Sequence, residues 1–204
     1  MIMIDTFPTD GRHLRRDRNR DAVVSALLEL YREGSINPST EEIAERAGIS
    51  ARSLFRYFDD VDTLVRTAIL RQQEHLAPLF TLQVGPTDSF STRVEGFVDG
   101  RVGLIEAMGA VGRVARNLSV AQPRIGAELR RLRRVLRDQV AEVFAEELGV
   151  LAEPDAAAAL SALDVLTSWE SYHLLREDQH LSRAAASTAI ANGVRSLLRP
   201  PGTS

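Results

Sequence analysis

Apolar residues return every three or four positions along most of this 204-residue chain, and most such runs open on a capping residue or a proline. That period lays one apolar stripe along a helix, whereas a half-buried strand needs strict alternation over four to eight residues. No run of alternating β-branched residues bounded by turn signals is present. The expected fold class is therefore all-α. Val23, Ala26, Leu27, Leu30 and Tyr31 mark a first helix over about 17–33, which Gly34 stops. Ser39 and Glu42 form a capping box for a short helix ending at Gly48. Ser50 opens a second short helix, 51–57, and Asp60 a third, 61 to about 77, before Pro78.

Residues 79–88 read as a loop. The apolar pattern from Phe90 to Met108 is interrupted by Gly96, Gly100 and Gly103, and followed by Gly109 and Gly112. Each interior glycine costs about 1 kcal/mol against alanine, so the spacing predicts two helices or one kinked helix with close neighbours. Ile125 to Leu148 step by threes and fours to Gly149 as one long amphipathic helix. Pro154 opens another that carries Leu160, Leu163, Leu166, Trp169, Tyr172 and Leu175 on one continuous run. Ser182 caps the last, which ends near Leu198 before Pro200 and Pro201.

Composition removes several function classes. There is no Cys, hence no disulfide framework, thiolate metal site or cysteine nucleophile. No stretch reaches 18 consecutive apolar residues, and residues 1–11 lack the basic and apolar regions of a secretory signal. The expectation is a cytoplasmic protein with no membrane partner and a flexible tail over 1–11. Net charge is −3, and every basic residue is Arg, so any cationic phosphate contact must come from a guanidinium.

The placement of charge says more than its sum. Residues 12–20 hold five Arg against one Asp, and residues 50–58 hold Arg52 and Arg56 with no acid. Between them, Ser39 to Phe58 reads STEEIAERAGISARSLFRYF: two short helices, small Ala44 four residues before Gly48, and Ile43, Ile49 and Leu54 to wedge the helices at a fixed angle. That is a helix-turn-helix, whose second helix enters a DNA major groove by its N-terminal end.

ALLELYREGS, followed by TEEIAERAGISARSLFRYFDDVDTL, resembles the DNA-binding domain of the TetR family of bacterial transcriptional regulators. The resemblance implies a helix-turn-helix domain over 12–60, with its motif about 39–58, and a helical ligand-binding and dimerisation domain over 61–199. It implies that Ala51 and Arg52 face base edges, that Ser39, Thr40, Ser50, Ser53 and Tyr57 reach phosphates, and that Arg56 does either. Ser39 and Ser50 are also helix caps, and the two roles are compatible. Phe55 stands at the family's usual Tyr, and Tyr57 at its usual His. Val61 replaces the common Lys at the start of helix four, among Asp59, Asp60 and Asp62. Phosphate anchoring is expected to be weak there and to lean on Arg12, Arg15, Arg16 and Arg18.

The resemblance further implies a homodimer through about 155–178 and 183–198, a double-stranded DNA operator, and an unknown small-molecule effector in place of any cofactor. Arg101, Glu106, Trp169, Tyr172 and His173 are the candidate effector contacts. Two competing readings stay open: a helix-turn-helix fold used for protein contact, and a helical-bundle metal enzyme. Glu170 with His173, and Glu177 with His180, match the E-x-x-H spacing of di-metal bundles. Both matches lie on what reads as one helix, which denies the bridging geometry, so neither a metal site nor a catalytic site is expected. Arg130, Arg131, Arg133, Arg134 and Arg137 alternate with Asp138, Glu142 and Glu146 and read as a solvated, ion-paired face.

Overall fold

The computed structural model describes residues 11–85 and 87–198, with side chains from residue 14. The expected tail, apart from Gly11, lies outside the described residues, as do the Arg12 side chain and the chain beyond Leu198. The described residues form α-helices and no strand: α1 Gly11–Arg32, α2 Thr40–Arg46, α3 Ala51–Leu54, α4 Val61–Leu76, α5 Phe90–Ala121, α6 Pro123–Val143, α7 Ala145–Gly149, α8 Glu153–Leu166, α9 Trp169–His173 and α10 Arg183–Leu198. A 3₁₀ turn covers Ala77–Phe80 and a π turn Leu174–Asp178. They group into two compact units, one of residues up to 74 with 110–118, the other of 75–109 with 119 onward.

In the first unit α1 packs on α2 and α2 on α3, burying Leu27, Tyr31, Ile43, Leu54 and Leu64 almost completely. Helix α1 begins at Gly11 rather than near Asp17. From Leu14, itself 62% exposed, to Arg18 the described side chains are exposed and have no core to face, so no apolar stripe marks this stretch. Arginine is a good helix former, so the basic stretch is helical all the same. At the other end Gly34, with φ 96°, lets the Ser35 N–H donate to the Leu30 carbonyl at 3.0 Å.

The second unit is built on Val94, Phe97, Val98 and Ile105 of α5, Val140 and Phe144 at the end of α6, Leu163 of α8, Tyr172 of α9, and Ile190 and Val194 of α10. Phe144 meets Phe97 edge-on at 5.2 Å. The glycines of α5 are explained by the loop that precedes it. A Cβ at Gly96 would lie 2.3 Å from Val84 Cγ1, and one at Gly100 would lie 3.0 Å from Leu82 Cδ2. Gly103 faces open space. Gly96→Ala is thus expected to lose about 1–2 kcal/mol net of its better helix propensity, because stiff Val84 must move. Gly103→Ala should gain up to about 1 kcal/mol. Urea midpoints of the two variants should move in opposite directions, and a shared direction would contradict this packing. Gly109, at φ 46° and ψ −138°, provides the expected kink in α5.

Two expected helices are broken. The long helix to Gly149 stops at Val143 and resumes at Ala145, because buried Phe144 takes φ −111° and ψ 26° and Arg93 Nη1 donates to the Val143 carbonyl at 2.7 Å. The run from Pro154 to Leu175 stops at Leu166. There Thr167 Oγ1 donates back to the Leu163 carbonyl, and Ser168 Oγ accepts from the Ser171 N–H at 3.1 Å, opening α9. That break precedes both E-x-x-H matches: Glu170, His173 and Glu177 follow one another through α9 and the π turn, and only His180 falls outside this run. Glu170 pairs with Arg133, while His180 lies past the π turn at φ 56°.

Candidate nucleic-acid interface

The turn between α2 and α3 is fixed by local hydrogen bonds. Ser39 Oγ accepts from the Glu42 N–H at 3.2 Å while the Ser39 N–H donates to Glu42 Oε2 at 2.7 Å, the reciprocal capping box. Those bonds hold the Glu42 carboxyl below its usual pKa. Gly48, at φ 69°, lets the Ile49 N–H donate to the Ala44 carbonyl at 3.0 Å and reverses the chain. Ser50 Oγ accepts from the Ser53 N–H at 3.3 Å and caps α3. Ile43 and Leu54 are buried as wedges, whereas Ile49 is only half-buried.

Helix α3 is shorter than expected. It ends at Leu54, and the chain continues to Phe58 through turns in which Arg56 N–H donates to Ser53 and Tyr57 N–H to Leu54. Leu54 and Phe58 are buried beneath, so the exposed side carries Arg52, Phe55 and Arg56, with Ala51, Ser53 and Tyr57 half-buried beside them. The Ser39 hydroxyl also donates to Glu42 Oε2 at 2.8 Å, and the Thr40 hydroxyl to Glu41 Oε2 at 3.0 Å. Both protons are thus held by carboxylates in the DNA-free chain.

The cations around this motif divide into two sets. Arg46 is tied to Glu33 through both guanidinium nitrogens at 2.7 and 2.8 Å, Arg71 to Asp21 at 2.6 Å, and Arg20 lies 4.8 Å over the Phe58 ring. Arg15 and Arg16, exposed on α1, instead line a groove with Asn19, Arg56 and Tyr57, and Arg18 is exposed nearby in sequence. Asn19 Nδ2 donates to the Tyr57 hydroxyl at 2.9 Å. Asn19 carries no motif signal and was invisible to sequence reasoning. At the start of α4, Val61 is half-buried and Asp60 Oδ1 accepts from the Thr63 N–H at 2.6 Å, the expected cap.

In the second unit, four of the five candidate effector contacts form two pairs, joined by an edge-on contact of the Tyr172 and His173 rings at 5.8 Å. The Tyr172 hydroxyl donates to Glu106 at 2.5 Å, Arg183 bonds the other Glu106 oxygen at 3.0 Å, and His173 stacks on Trp169 with ring centroids 3.5 Å apart. Burial works against the Glu106 carboxylate, but these hydrogen bonds outweigh it and leave its pKa lowered. Arg101 makes its contacts elsewhere, over the Phe97 ring and on the Leu136 carbonyl. Burial pulls its guanidinium down to about 10, against the opposing charge of Asp164. A cavity of about 310 Å³, unforeseen in the sequence, lies between the loop from Phe80 to Gly85, Arg93, and Gln139 to Val143 of α6. In the arginine run of α6, Arg133 and Arg137 find Glu170 and Asp164 on other helices rather than the interleaved acids of their own. No group of three or more His, Asp or Glu that could hold a metal occurs among the described residues, and no described helix is long and apolar enough to cross a membrane.

An all-α chain with a capped helix-turn-helix, an exposed arginine-bearing reading side and a separate helical unit defines a helix-turn-helix transcriptional regulator. The sequence profile described as bacterial regulatory proteins, tetR family, matches residues 23–68, so this segment is similar to the DNA-binding domain of that family. The fold is similar to that of a transcriptional regulator from Rhodococcus sp. Rha1 (TM-score 0.68, 13% identity, covering 88% of this chain and 95% of that one). It is also similar to a tetR-family transcriptional regulator from Streptomyces coelicolor (0.65, 19%, 89% and 79%). A third similar structure is MexZ of Pseudomonas aeruginosa, a repressor responsible for antibiotic resistance (0.60, 15%, 90% and 96%). No curated protein matches the sequence.

Proposed function

We propose that this chain is a cytoplasmic repressor that binds a palindromic operator as a twofold homodimer and releases it when a small-molecule effector binds. The observation that carries the DNA reading is the exposed Arg52 on the capped first turn of α3, flanked by Ala51 and free of carboxylate partners among the described residues. An Arg there can bond bidentately to guanine O6 and N7, and an Ala can meet a thymine methyl. Arg52→Ala is expected to cost roughly 1–3 kcal/mol and to relax preference at one operator position, whereas Tyr57→Phe should weaken all sequences about equally. Selection from random duplexes followed by profiling of both variants tests this, and equal, uniform losses would sink the Arg52 assignment.

The dimer reading is supported by α8 and α10, which pack side by side. Ala157, Ala158, Ser161 and Val165 make an exposed stripe on α8, and Ala184, Thr188 and Asn192 one on α10, small enough for close helix approach. The stretch 155–178 then enters as α8 plus the broken α9 segment rather than as one helix. For the effector, the bonded set of Glu106, Trp169, Tyr172 and His173 has most of its polar atoms engaged, and the cavity beside Gln139 offers more room. Arg101 touches only a lining residue of that cavity, through a 3.4 Å contact from Nη2 to Gln139 Oε1. Its volume sits at the lower end of the usual range for ligand pockets. An effector acts by binding the operator-competent and operator-incompetent states with different affinity, and nothing beyond that difference is needed.

A further inference from the structure

We infer that the operator backbone is anchored by a phosphate seat between α1 and the turn after α3, lined by Arg15, Arg16, Arg56 and Tyr57, with Asn19 as the residue that positions Tyr57. The inference rests on the DNA-binding reading above and adds to it where the phosphate sits. Among the described residues, the groove has three guanidinium groups, one phenol and one amide on its walls, and no carboxylate. Arg16 and Arg56 make no ion pair with any described residue, while Arg20, Arg46 and Arg71 of the same unit are spent on Phe58, Glu33 and Asp21. The Arg16 and Arg56 guanidinium groups, converging on one groove, repel one another, and an oxyanion relieves that repulsion.

The Asn19 bond sets the direction of the phenol proton. A hydroxyl can both accept and donate, whereas an ionised phosphodiester only accepts. Because Asn19 Nδ2 donates to Tyr57 Oη at 2.9 Å, the acceptor side of the hydroxyl is used and its own proton is left for a phosphate oxygen. Asn19 and Tyr57 stand 38 residues apart, and the bond also fixes the phenol against α1, where Arg15 and Arg16 reach the same space.

Other places for that phosphate are filled. At the start of α4 the Thr63 amide is occupied by Asp60, Val61 brings no charge, and Asp59 and Asp62 flank it. At the start of α2 the hydroxyl protons of Ser39 and Thr40 lie on Glu42 and Glu41. Most protein–DNA hydrogen bonds go to the backbone and set register, so a head with acidic residues at both those points needs its anchor elsewhere.

The test uses the full chain and a random-sequence duplex of about 25 base pairs, titrated by anisotropy between 50 and 200 mM NaCl, conditions under which each phosphate contact contributes roughly −0.9 to the log–log salt slope. Arg16→Gln with Arg56→Gln, both exposed, should make the slope shallower by about 1 per protomer. Asn19→Ala should weaken binding by roughly 3–10-fold, Tyr57→Phe by a similar factor, and the double variant no more than Tyr57→Phe alone, since one bond serves the other. Unchanged binding by Asn19→Ala, additive losses in the double variant, or an unchanged slope in the arginine variant would overturn the seat. Wild-type protein that shows no salt-dependent binding would instead overturn the DNA reading itself. Sodium phosphate at matched ionic strength should compete more strongly than chloride, and this excess should vanish in the arginine variant; an excess that survives there would place the oxyanion elsewhere and overturn the seat.

Discussion

Arg93→Ala is expected to lower the unfolding free energy of the second unit by about 3–5 kcal/mol, the usual cost of removing one partner from a buried ion pair. The side chain is 4% exposed, and each guanidinium nitrogen is bonded. Nε donates to the Asp88 carbonyl at 3.2 Å, Nη1 to the Val143 carbonyl at 2.7 Å and Glu147 at 2.8 Å, and Nη2 to Glu147 at 2.6 Å with Glu146 at 3.3 Å. One residue near the start of α5 thus closes the end of α6 and the start of α7. Alanine would leave the Glu147 carboxylate, 14% exposed, beside an unmet carbonyl. Arg93→Met keeps much of the volume and should remain costly, whereas Arg93→Met with Glu147→Met should recover most of the loss, because no charge is then stranded. Urea unfolding followed on Trp169, the single tryptophan, reads this unit directly. A loss below about 1 kcal/mol for Arg93→Ala would mean that the pair is solvated and weak.

The same residue shows where sequence reasoning stops. The capping box at Ser39, the caps at Ser50, Asp60 and Ser182, and the stops at Gly34 and Gly48 all form within a few residues, so they are legible in the order of the chain. The break at Phe144 has no Gly or Pro to announce it. Its cause lies 50 residues upstream in Arg93, which takes the Val143 carbonyl. Asn19 meeting Tyr57 and Arg20 covering Phe58 are likewise contacts across 38 residues, with no periodic signature. Periodicity failed in a second way at 14–16, where helical residues that are all exposed leave no apolar pattern to detect. The Ser168 cap was readable in principle, since Ser168 precedes Trp169 and Glu170 as an N-cap precedes its helix. The continuous apolar spacing from Leu160 to Leu175 masked it.

Moving the two operator half-sites apart by 5 base pairs is expected to reduce specific binding to the non-specific level, a loss of roughly 10³-fold or more. The reason is the size of the reading element. Helix α3 spans only Ala51–Leu54, and the side chains proposed to face bases reduce to Arg52 and Ala51. A good bidentate contact discriminates by about 1–3 kcal/mol, while specific regulators exceed their own non-specific binding by about 4–10 kcal/mol. One head falls short of that interval, and two coupled heads reach it. Coupled heads must meet major grooves about 34–36 Å apart on one face of the duplex. An insertion of 5 base pairs turns one half-site to the opposite face, so the second head loses its bases while phosphate contacts persist. Anisotropy titration of the selected operator, with and without the insertion, should show the specific complex lost and a residual, steeply salt-dependent affinity retained. Equal affinity for both duplexes would mean that each head binds alone, and the stripes on α8 and α10 would then need another partner.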